Sequence, residues 1–551
     1  MKEITFKDRC TLSLSKHIWG EKEVYLARCL NFDVAGNIIN IDLRTTAIKA
    51  LVEFLKYSFV DMMTTDHYAV YRKELSTEIK VRYDELRADF DNTYLSFIPY
   101  APRLRKVQGE SLFEMIPKQA NLLSYFMGGG KSLTSATISR MKRVNCTLVI
   151  CPLSAKWSIF RDLTENWGFN QLCFTILDAN RKKNVIAMGG ARFFMLNYSI
   201  LPKYMDDVLK LNIGHIICDE VHHAKNPQSA RFKNVQKIVD HFHNAKLTML
   251  SGTPMVNRAN DLFAPLKLAK HPMGDNYQTF LNEFTNSAFN KKTMQNTVKG
   301  GKNLDYLSIA LSNFMIRKTA EDMQLGLPKK IITKYIIKDA EYKEDYNKII
   351  DEMMMGESTM SLNGSLHSLN RLVSLAKIRC SPGIFDLIDE IIAQGDKVAV
   401  YSFYKECIFA IEERYRDKCV SIHGGIPATK RDALQQRFHK DPNCLVFIGQ
   451  HIAAGEIVDL TCAHNLIVCD IPMTSSLLNQ ILARIHRPPQ KLDVHIYLPM
   501  AEDSIDQDLY KLIAGKAIDI NAVIDRGDKS VVNYKNIEEE LFKKLIKRGR
   551  I

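Results

Sequence analysis

What most constrains this 551-residue chain is an alternation, met twice, of short apolar runs with longer amphipathic stretches. The first series holds Thr147-Leu148-Val149-Ile150-Cys151, Phe193-Phe194-Met195-Leu196, His215-Ile216-Ile217-Cys218 and Leu247-Thr248-Met249-Leu250. The second holds Lys397-Val398-Ala399-Val400-Tyr401, Leu445-Val446-Phe447-Ile448, Asn465-Leu466-Ile467-Val468-Cys469 and Val494-His495-Ile496-Tyr497. Uninterrupted apolar runs of this length suit parallel strands covered on both faces, and the amphipathic helices between them supply the cover. The pattern predicts an α/β protein with two doubly wound parallel-sheet lobes, 101–265 and 391–515. A helical insertion, 266–390, is expected between them. Residues 1–100 read as a small accessory α+β domain, and 516–551 as a C-terminal basic extension. A chain of this length exceeds what one hydrophobic core usually serves, which agrees with several domains.

Between the first apolar stretch, Asn121-Leu122-Leu123, and a helical one lies Met127-Gly128-Gly129-Gly130-Lys131-Ser132. Glycines let backbone N–H groups curl around a phosphate, and a helix N-terminus adds a favourable dipole. Gly128, Gly129 and Gly130 would cradle the nucleotide, Lys131 would reach its β- and γ-phosphates, and the Ser132 hydroxyl would bind Mg²⁺. About 90 residues downstream, Ile216-Ile217-Cys218-Asp219-Glu220 sets two carboxylates at the C-terminal end of an apolar strand, where α/β folds place ligands. There Asp219 can hold Mg²⁺ through water, and Glu220 can orient and deprotonate the attacking water. ATP and Mg²⁺ are the cofactors this pair of motifs calls for.

From here the chain resembles helicase superfamily 2. Asp219-Glu220-Val221-His222 is similar to its DEAH-type box, with Val in third place. Ser251-Gly252-Thr253-Pro254 resembles the motif that couples nucleotide state to nucleic acid, and Gln480-Ile481-Leu482-Ala483-Arg484-Ile485-His486-Arg487 resembles the Q-x-x-x-R-x-x-R motif of the second lobe. The resemblance implies two RecA-like lobes. It also implies that Arg484 and Arg487 reach the γ-phosphate, where developing charge calls for a rigid, permanently cationic donor.

Finer features resemble the Snf2-type branch, closest to its compact fork-remodelling and annealing group, phage and prokaryotic homologues included. Cys151-Pro152-Leu153-Ser154-Ala155-Lys156-Trp157, Asn197-Tyr198, Lys225-Asn226 and His423-Gly424 fall where that branch contacts DNA. Ser154, Lys156, Trp157, Asn197, Tyr198, Lys225, Asn226, His423 and Gly424 are thereby implied as the DNA track. Ile316-Arg317-Lys318-Thr319 also fits the branch. Gln108, ahead of the phosphate loop, fits its adenine-recognising glutamine, and Gln480 and Gly455 stand on the nucleotide side of the second lobe. The resemblance covers roughly 104–515. It departs at Tyr125 and Phe126, where acidic residues are usual, at Ser132 for threonine, at Glu456-Ile457 after Ala453-Ala454-Gly455, at Ala483, and at Pro488-Pro489 after Arg487. No departure removes a catalytic group.

The implied activity is a DNA-dependent ATPase that translocates on duplex DNA and remodels forks or four-way junctions. It would be a monomeric motor with replication or recombination proteins as companions. A strand-separating DNA or RNA helicase is the rival enzyme, and a nucleic-acid-binding scaffold with a decayed ATPase the rival from another class; intact Lys131, Asp219-Glu220 and Arg487 speak against decay. Lys and Arg exceed Asp and Glu by 75 to 62, a net charge of +13 that suits a polyanion. No apolar run approaches the roughly 20 residues needed to span a bilayer. The start, Met1-Lys2-Glu3-Ile4-Thr5-Phe6, lacks the apolar stretch of a signal peptide. An intracellular, cytoplasmic protein is expected, in a host cytoplasm if phage-encoded. The twelve cysteines form no C-x-x-C pair, so no zinc-ligand spacing is present.

Overall fold

A computed structural model describes residues 3–153, 155–178, 192–252, 254, 259–290, 295–338, 341–355, 362–451, 458–511 and 531–532. The chain divides between Met323 and Gln324 into two compact units, and the described pair Val531–Val532 returns to the first.

The first unit begins with four antiparallel strands, β1 (Glu3–Phe6), β2 (Thr11–Ser15), β3 (Asp33–Ala35) and β4 (Ile38–Asp42), in the order β1-β2-β4-β3. Leu12 and Leu14 alternate along β2, Ile39 and Ile41 along β4; all four are fully buried, so they share one face. Helices Glu21–Cys29 and Ile48–Ser58 accompany this sheet, and Phe54 of the second sets its ring against Trp19 and Phe32.

A seven-stranded parallel sheet follows. Its strands are β5 (Ala120–Tyr125), β6 (Cys146–Cys151), β7 (Phe174–Ile176), β8 (Phe193–Asn197), β9 (Ile213–Cys218) and β10 (Lys246–Leu250), with a seventh added later in the chain. After β10 come an antiparallel hairpin, β11 (Thr285–Asn290) and β12 (Gln295–Lys302), and then the seventh strand, β13 (Met315–Lys318). The order is β13-β5-β10-β9-β6-β8-β7. The chain leaves β5, skips two positions to build β6, and later inserts β9 and β10 into the gap. That crossover places the loops after β5, β10 and β9 side by side at the C-terminal edge, the position at which open α/β sheets bind ligands.

The second unit holds a six-stranded parallel sheet of β14 (Lys330–Ile337), β15 (Val398–Ser402), β16 (Cys419–Ile422), β17 (Val446–Gln450), β18 (Asn465–Val468) and β19 (Val494–Ala501), in the order β14-β19-β18-β15-β17-β16. Its apolar runs feed two cores by turns. Ala399, Tyr401, Phe447, Leu466 and Val468 enter one; Val398, Val400, Val446, Ile448 and Ile467 enter the other. A strand buried on both faces has no solvent side for a polar residue, which is why these runs carry no alternation.

Residues 266–390, expected as a helical insertion, are divided between the units. They do supply helices, Leu304–Leu311, Lys343–Met355 and Leu362–Arg379 among them, but also β13 for the first sheet and β14 for the second. Residues 1–100 are tied to this region within the first unit. Asn313 Nδ2 donates to Leu30 O at 2.7 Å and Asn313 Oδ1 accepts from Ala47 N at 2.9 Å, while His271 Nε2 donates to Cys29 O at 2.9 Å.

Candidate functional site

β5 ends at Tyr125, and the backbone turns through Gly128 (φ +78°) and Gly130 (φ +82°) into the helix Lys131–Met141. Positive φ is costly for residues with a Cβ. A Cβ at Gly129 would also lie 2.9 Å from Phe126 O, and one at Gly130 2.6 Å from Gln108 Nε2. Only glycine fits the turn that aims the helix N-terminus and Lys131 into the sheet edge. Lys131 Nζ lies 3.5 Å from Tyr125 O, and it would stand 3.6 Å from a Cβ built on Gly252.

The loops after β9 and β10 close on the same edge. Asp219 N donates to Ile150 O at 2.8 Å, prolonging the ladder one residue beyond β9 and fixing the acidic pair against the sheet. Asp219 is buried, and burial followed by the neighbouring Glu220 charge pushes its carboxyl up to about 7, with Lys131 opposing the rise. Ser132 and Asp219 line one small cavity. Glu220 adopts a left-handed backbone (φ +46°), uncommon for a residue with a Cβ, which turns its carboxylate away from the strand direction. His222 Nδ1 lies 3.2 Å from Glu220 Oε2 and stacks its ring on His223 at 4.8 Å.

Ser251 N donates to Leu123 O at 3.2 Å, which seats Ser251 and Gly252 beside the phosphate loop. Thr253 lies outside the described residues, as do Met255, Val256, Asn257 and Arg258. The sequence reading assigned no role to Arg317. From the end of β13 its Nη1 donates to Ser124 Oγ at 3.2 Å and Gly252 O at 3.3 Å, bracing two loops at once. Its signal was present, an arginine inside the Ile316–Thr319 motif, but the strand partner was not visible in the pattern.

Gln108 stands beside the phosphate loop. It is buried, accepts from Arg105 N at 2.9 Å, and reaches Gly129 O and Thr134 Oγ1 at 3.4 Å each, so its amide braces the loop.

The expected DNA track divides. Lys156 is a correction: it is fully buried, its ammonium donating to Leu177 O at 2.7 Å and pairing with Asp178, so it offers no cation to a phosphate. Tyr198 and Asn197 are buried as well, and the Tyr198 hydroxyl donates to Asp219 O at 2.8 Å, holding the acidic loop from behind. Trp157 is 46% exposed. Lys225 Nζ lies 3.7 Å from Asp261 Oδ1 at a partly exposed position, and Asn226 closes the following turn by accepting from Gln228 N at 2.9 Å. Ser154 is outside the described residues.

In the second unit the helix Ser475–Ile485 carries Gln480 and Arg484, with Arg487 just past its end. Arg484 is buried and its Nε donates to Gln480 O at 3.2 Å. Arg487 Nε is buried with no acceptor among the described residues. Gly424 N donates to Gln450 Oε1 at 2.9 Å, and Gln450 Nε2 to Phe403 O at 3.2 Å; Gln450 is thus a support of the His423-Gly424 turn that sequence reasoning missed. His423 Nδ1 accepts from Gly425 N at 3.1 Å. Gly455 lies outside the described residues.

The SNF2-related domain family matches residues 33–384, more than half of the chain, and the helicase conserved C-terminal domain matches 383–489. The chain belongs to the SNF2-related family. Curated relatives include the mouse DNA annealing helicase and endonuclease ZRANB3, 24% identical over 71% of this chain and 38% of that protein. The Caenorhabditis elegans SWI/SNF-related matrix-associated actin-dependent regulator of chromatin subfamily A-like protein 1 homolog is 24% identical over 72% and 58%. Saccharomyces cerevisiae DNA repair and recombination protein RAD54 is 24% identical over 69% and 49%. The chain therefore spans between about two fifths and three fifths of the length of these SNF2-related relatives. Among solved structures, the Sulfolobus solfataricus SWI2/SNF2 ATPase core in complex with dsDNA matches 77% of this chain and 93% of that one at 22% identity, with a TM-score of 0.36. Among the described residues no helix is long and apolar enough to cross a membrane.

Proposed function

We propose that this SNF2-related chain hydrolyses ATP and converts the cycle into movement along duplex DNA, in the service of remodelling branched DNA. The observation that carries the reading is the meeting of Lys131, Ser132, Asp219, Glu220 and Gly252 on three adjacent strand ends of one sheet. The names of its relatives, an annealing helicase and a recombination protein, support the DNA task.

The glycine turn before the helix Lys131–Met141 fits a triphosphate: it offers backbone bare of side chains, a helix N-terminus, and one ammonium at its mouth. Ser132 and Asp219 fit a divalent ion carried in on the phosphates, which needs few protein ligands. Mg²⁺ held there would neutralise phosphate charge and offset the cost of an ionised Asp219. Lys131 then grips the terminal phosphates. Glu220, held off the strand direction and beside His222, orients water and takes its proton. Arg484 and Arg487 supply fixed positive charge to the phosphoryl group in this reading. Trp157, Lys225 and the His423-Gly424 turn are the candidate DNA contacts. Residues 1–100 would select or steer the substrate, and the motor would act as a monomer alongside replication or recombination proteins.

The test is the ATPase rate with single-stranded, duplex, forked and four-way DNA and with RNA. The reading expects stimulation by duplex, highest with branched DNA, and binding that weakens steeply with salt. Stimulation by RNA with DNA inert would overturn it.

A further inference from the structure

On the first unit, away from the nucleotide edge, the helices Glu21–Cys29 and Tyr277–Phe284 flank a cleft of about 420 Å³. Its floor is apolar: Met273, Phe280 and Phe284 are each at most 3% exposed. Tyr25 and Tyr306 wall it, and Tyr306 stacks on Phe284 at 6.3 Å and donates from its hydroxyl to Lys22 O at 3.0 Å.

The shape is built in. Asn276 caps the helix Tyr277–Phe284 by accepting from Thr279 N at 3.0 Å. Gly274 sits where a Cβ would come within 2.5 Å of the Leu266 and Lys267 backbone, so the turn presenting Asp275 is tight. His271 ties this turn to the end of the facing helix through Cys29 O.

The charge of the cleft opposes that of the chain. Against a net +13, its lining carries the carboxylates of Glu21, Asp275 and Glu283 and the single ammonium of Lys22. None of the three carboxylates forms an ion pair among the described residues; Glu283 accepts only from the Asn303 amide, at 3.2 Å. Both carboxylates line the same cleft as the Tyr25 ring; burial raises that phenol first and its neighbour Cys29 next, and Asp275 and Glu283 push it further. Surplus carboxylate over aromatic faces suits a guanidinium or ammonium on an apolar stem. It would repel a phosphate backbone.

We propose that this cleft docks a basic segment of a protein partner, an arginine or lysine head among the carboxylates and its stem along Tyr25 and Tyr306. The inference is independent of the motor reading, since the cleft uses none of the nucleotide or DNA residues.

A fluorescein-labelled heptapeptide with two arginines flanking a leucine tests it on the full chain by anisotropy, beside the same peptide with glutamates for arginines. Wild-type protein is expected to bind the basic peptide saturably and not the acidic one. The Asp275→Asn, Glu283→Gln double variant is expected to weaken binding at least tenfold. Thr279→Lys, which brings a cation of the protein's own to the lining, should do the same. Both variants should keep the wild-type melting temperature and DNA-stimulated ATPase, so a lost motor activity would be seen separately from a lost docking site. Equal affinity of wild type and both variants, or no saturable binding by the wild type, overturns the proposal.

Discussion

Two stretches of one sheet edge, side by side, use charged residues in opposite ways. After β5 and β9, Ser132 and Asp219 line a small cavity, and Asp219, with Lys131 opposing the rise, is held at a carboxyl pKa near 7 by burial and the like charge of Glu220. After β6 and β8, Lys156, Asn197 and Tyr198 are turned inward, the lysine saturated by Leu177 O and Asp178 and the tyrosine by Asp219 O. The first stretch keeps like charges close together, which a bound cation would relieve; in the second, Lys156 and Tyr198 have partners within the protein, while Asn197 Oδ1 is buried with none among the described residues. A polar group bonded inside the protein contributes to the fold, whereas like charges held close together at a strand edge mark a candidate binding place.

The contrast breaks first at its acting side. Lys131→Ala is expected to lose ATP binding, and Glu220→Gln to bind ATP yet hydrolyse at least roughly a hundredfold more slowly. Equilibrium nucleotide binding and single-turnover hydrolysis separate the two. Near-normal turnover by either folded variant would mean that the cluster is structural, like its neighbour.

Arg487 extends the comparison to the second unit, where Arg484 is engaged with its own helix and Arg487 Nε has no acceptor among the described residues. Arg487→Ala should lower kcat roughly tenfold to a hundredfold with DNA affinity nearly intact. Arg487→Lys should rescue little, because a point charge does not replace a planar fork. Wild-type turnover in the lysine variant would make Arg487 another strut.

What the sequence discloses follows the same line. The phosphate loop was legible because its chemistry is local: glycines with φ +78° and +82° next to one lysine can be read off six residues. Both sheets were legible because doubly buried strands have an unbroken apolar signature. Less legible was whatever depends on a distant partner. Lys156 looks like a phosphate ligand until Asp178, 22 residues on, is seen to hold it. Gln108 reads as a nucleotide-side residue, and its reach to Gly129 O and Thr134 Oγ1 shows only in the structure. The outer strands β13 and β14 were hidden in a helix-rich stretch because edge positions ask less of hydrophobicity; β14 is largely exposed along its length.

A third test separates the two uses of lysine directly. Lys225→Ala, at a partly exposed position, and Trp157→Ala, at an exposed one, are each expected to weaken duplex binding a few-fold, and the lysine change to reduce the salt dependence by about one phosphate contact. Lys156→Met should leave the salt dependence unchanged while lowering stability by roughly 1–3 kcal/mol, since Leu177 O loses its donor. A salt slope altered by Lys156→Met would return that residue to the track.

The last test concerns two histidines and an effect graded with pH. His222 lies beside Glu220 at the acting edge, whereas His271 is buried where residues 1–100 meet the rest of the first unit. His271 Nδ1 accepts from Met273 N at 3.2 Å, so the ring proton is on Nε2 and is donated to Cys29 O. The neutral ring is fully satisfied, and a second proton would face the Met273 N–H. Burial lowers the pKa to about 4, against bonds to Cys29 and Ala310 that raise it. A histidine with a depressed folded-state pKa stabilises the fold fully above its unfolded value near 6.5 and loses that contribution as pH falls to about 4. The slope is at most about 1.4 kcal/mol per pH unit for one proton. Denaturant unfolding of wild type and His271→Gln between pH 8 and 4 measures it as the difference of two curves, in which the other titrating groups cancel. The wild-type advantage should be constant above about pH 6.5 and shrink below it. Parallel curves across the whole range would show that the ring is not held neutral there, and that this junction is not one of the places where the fold has already satisfied its polar groups.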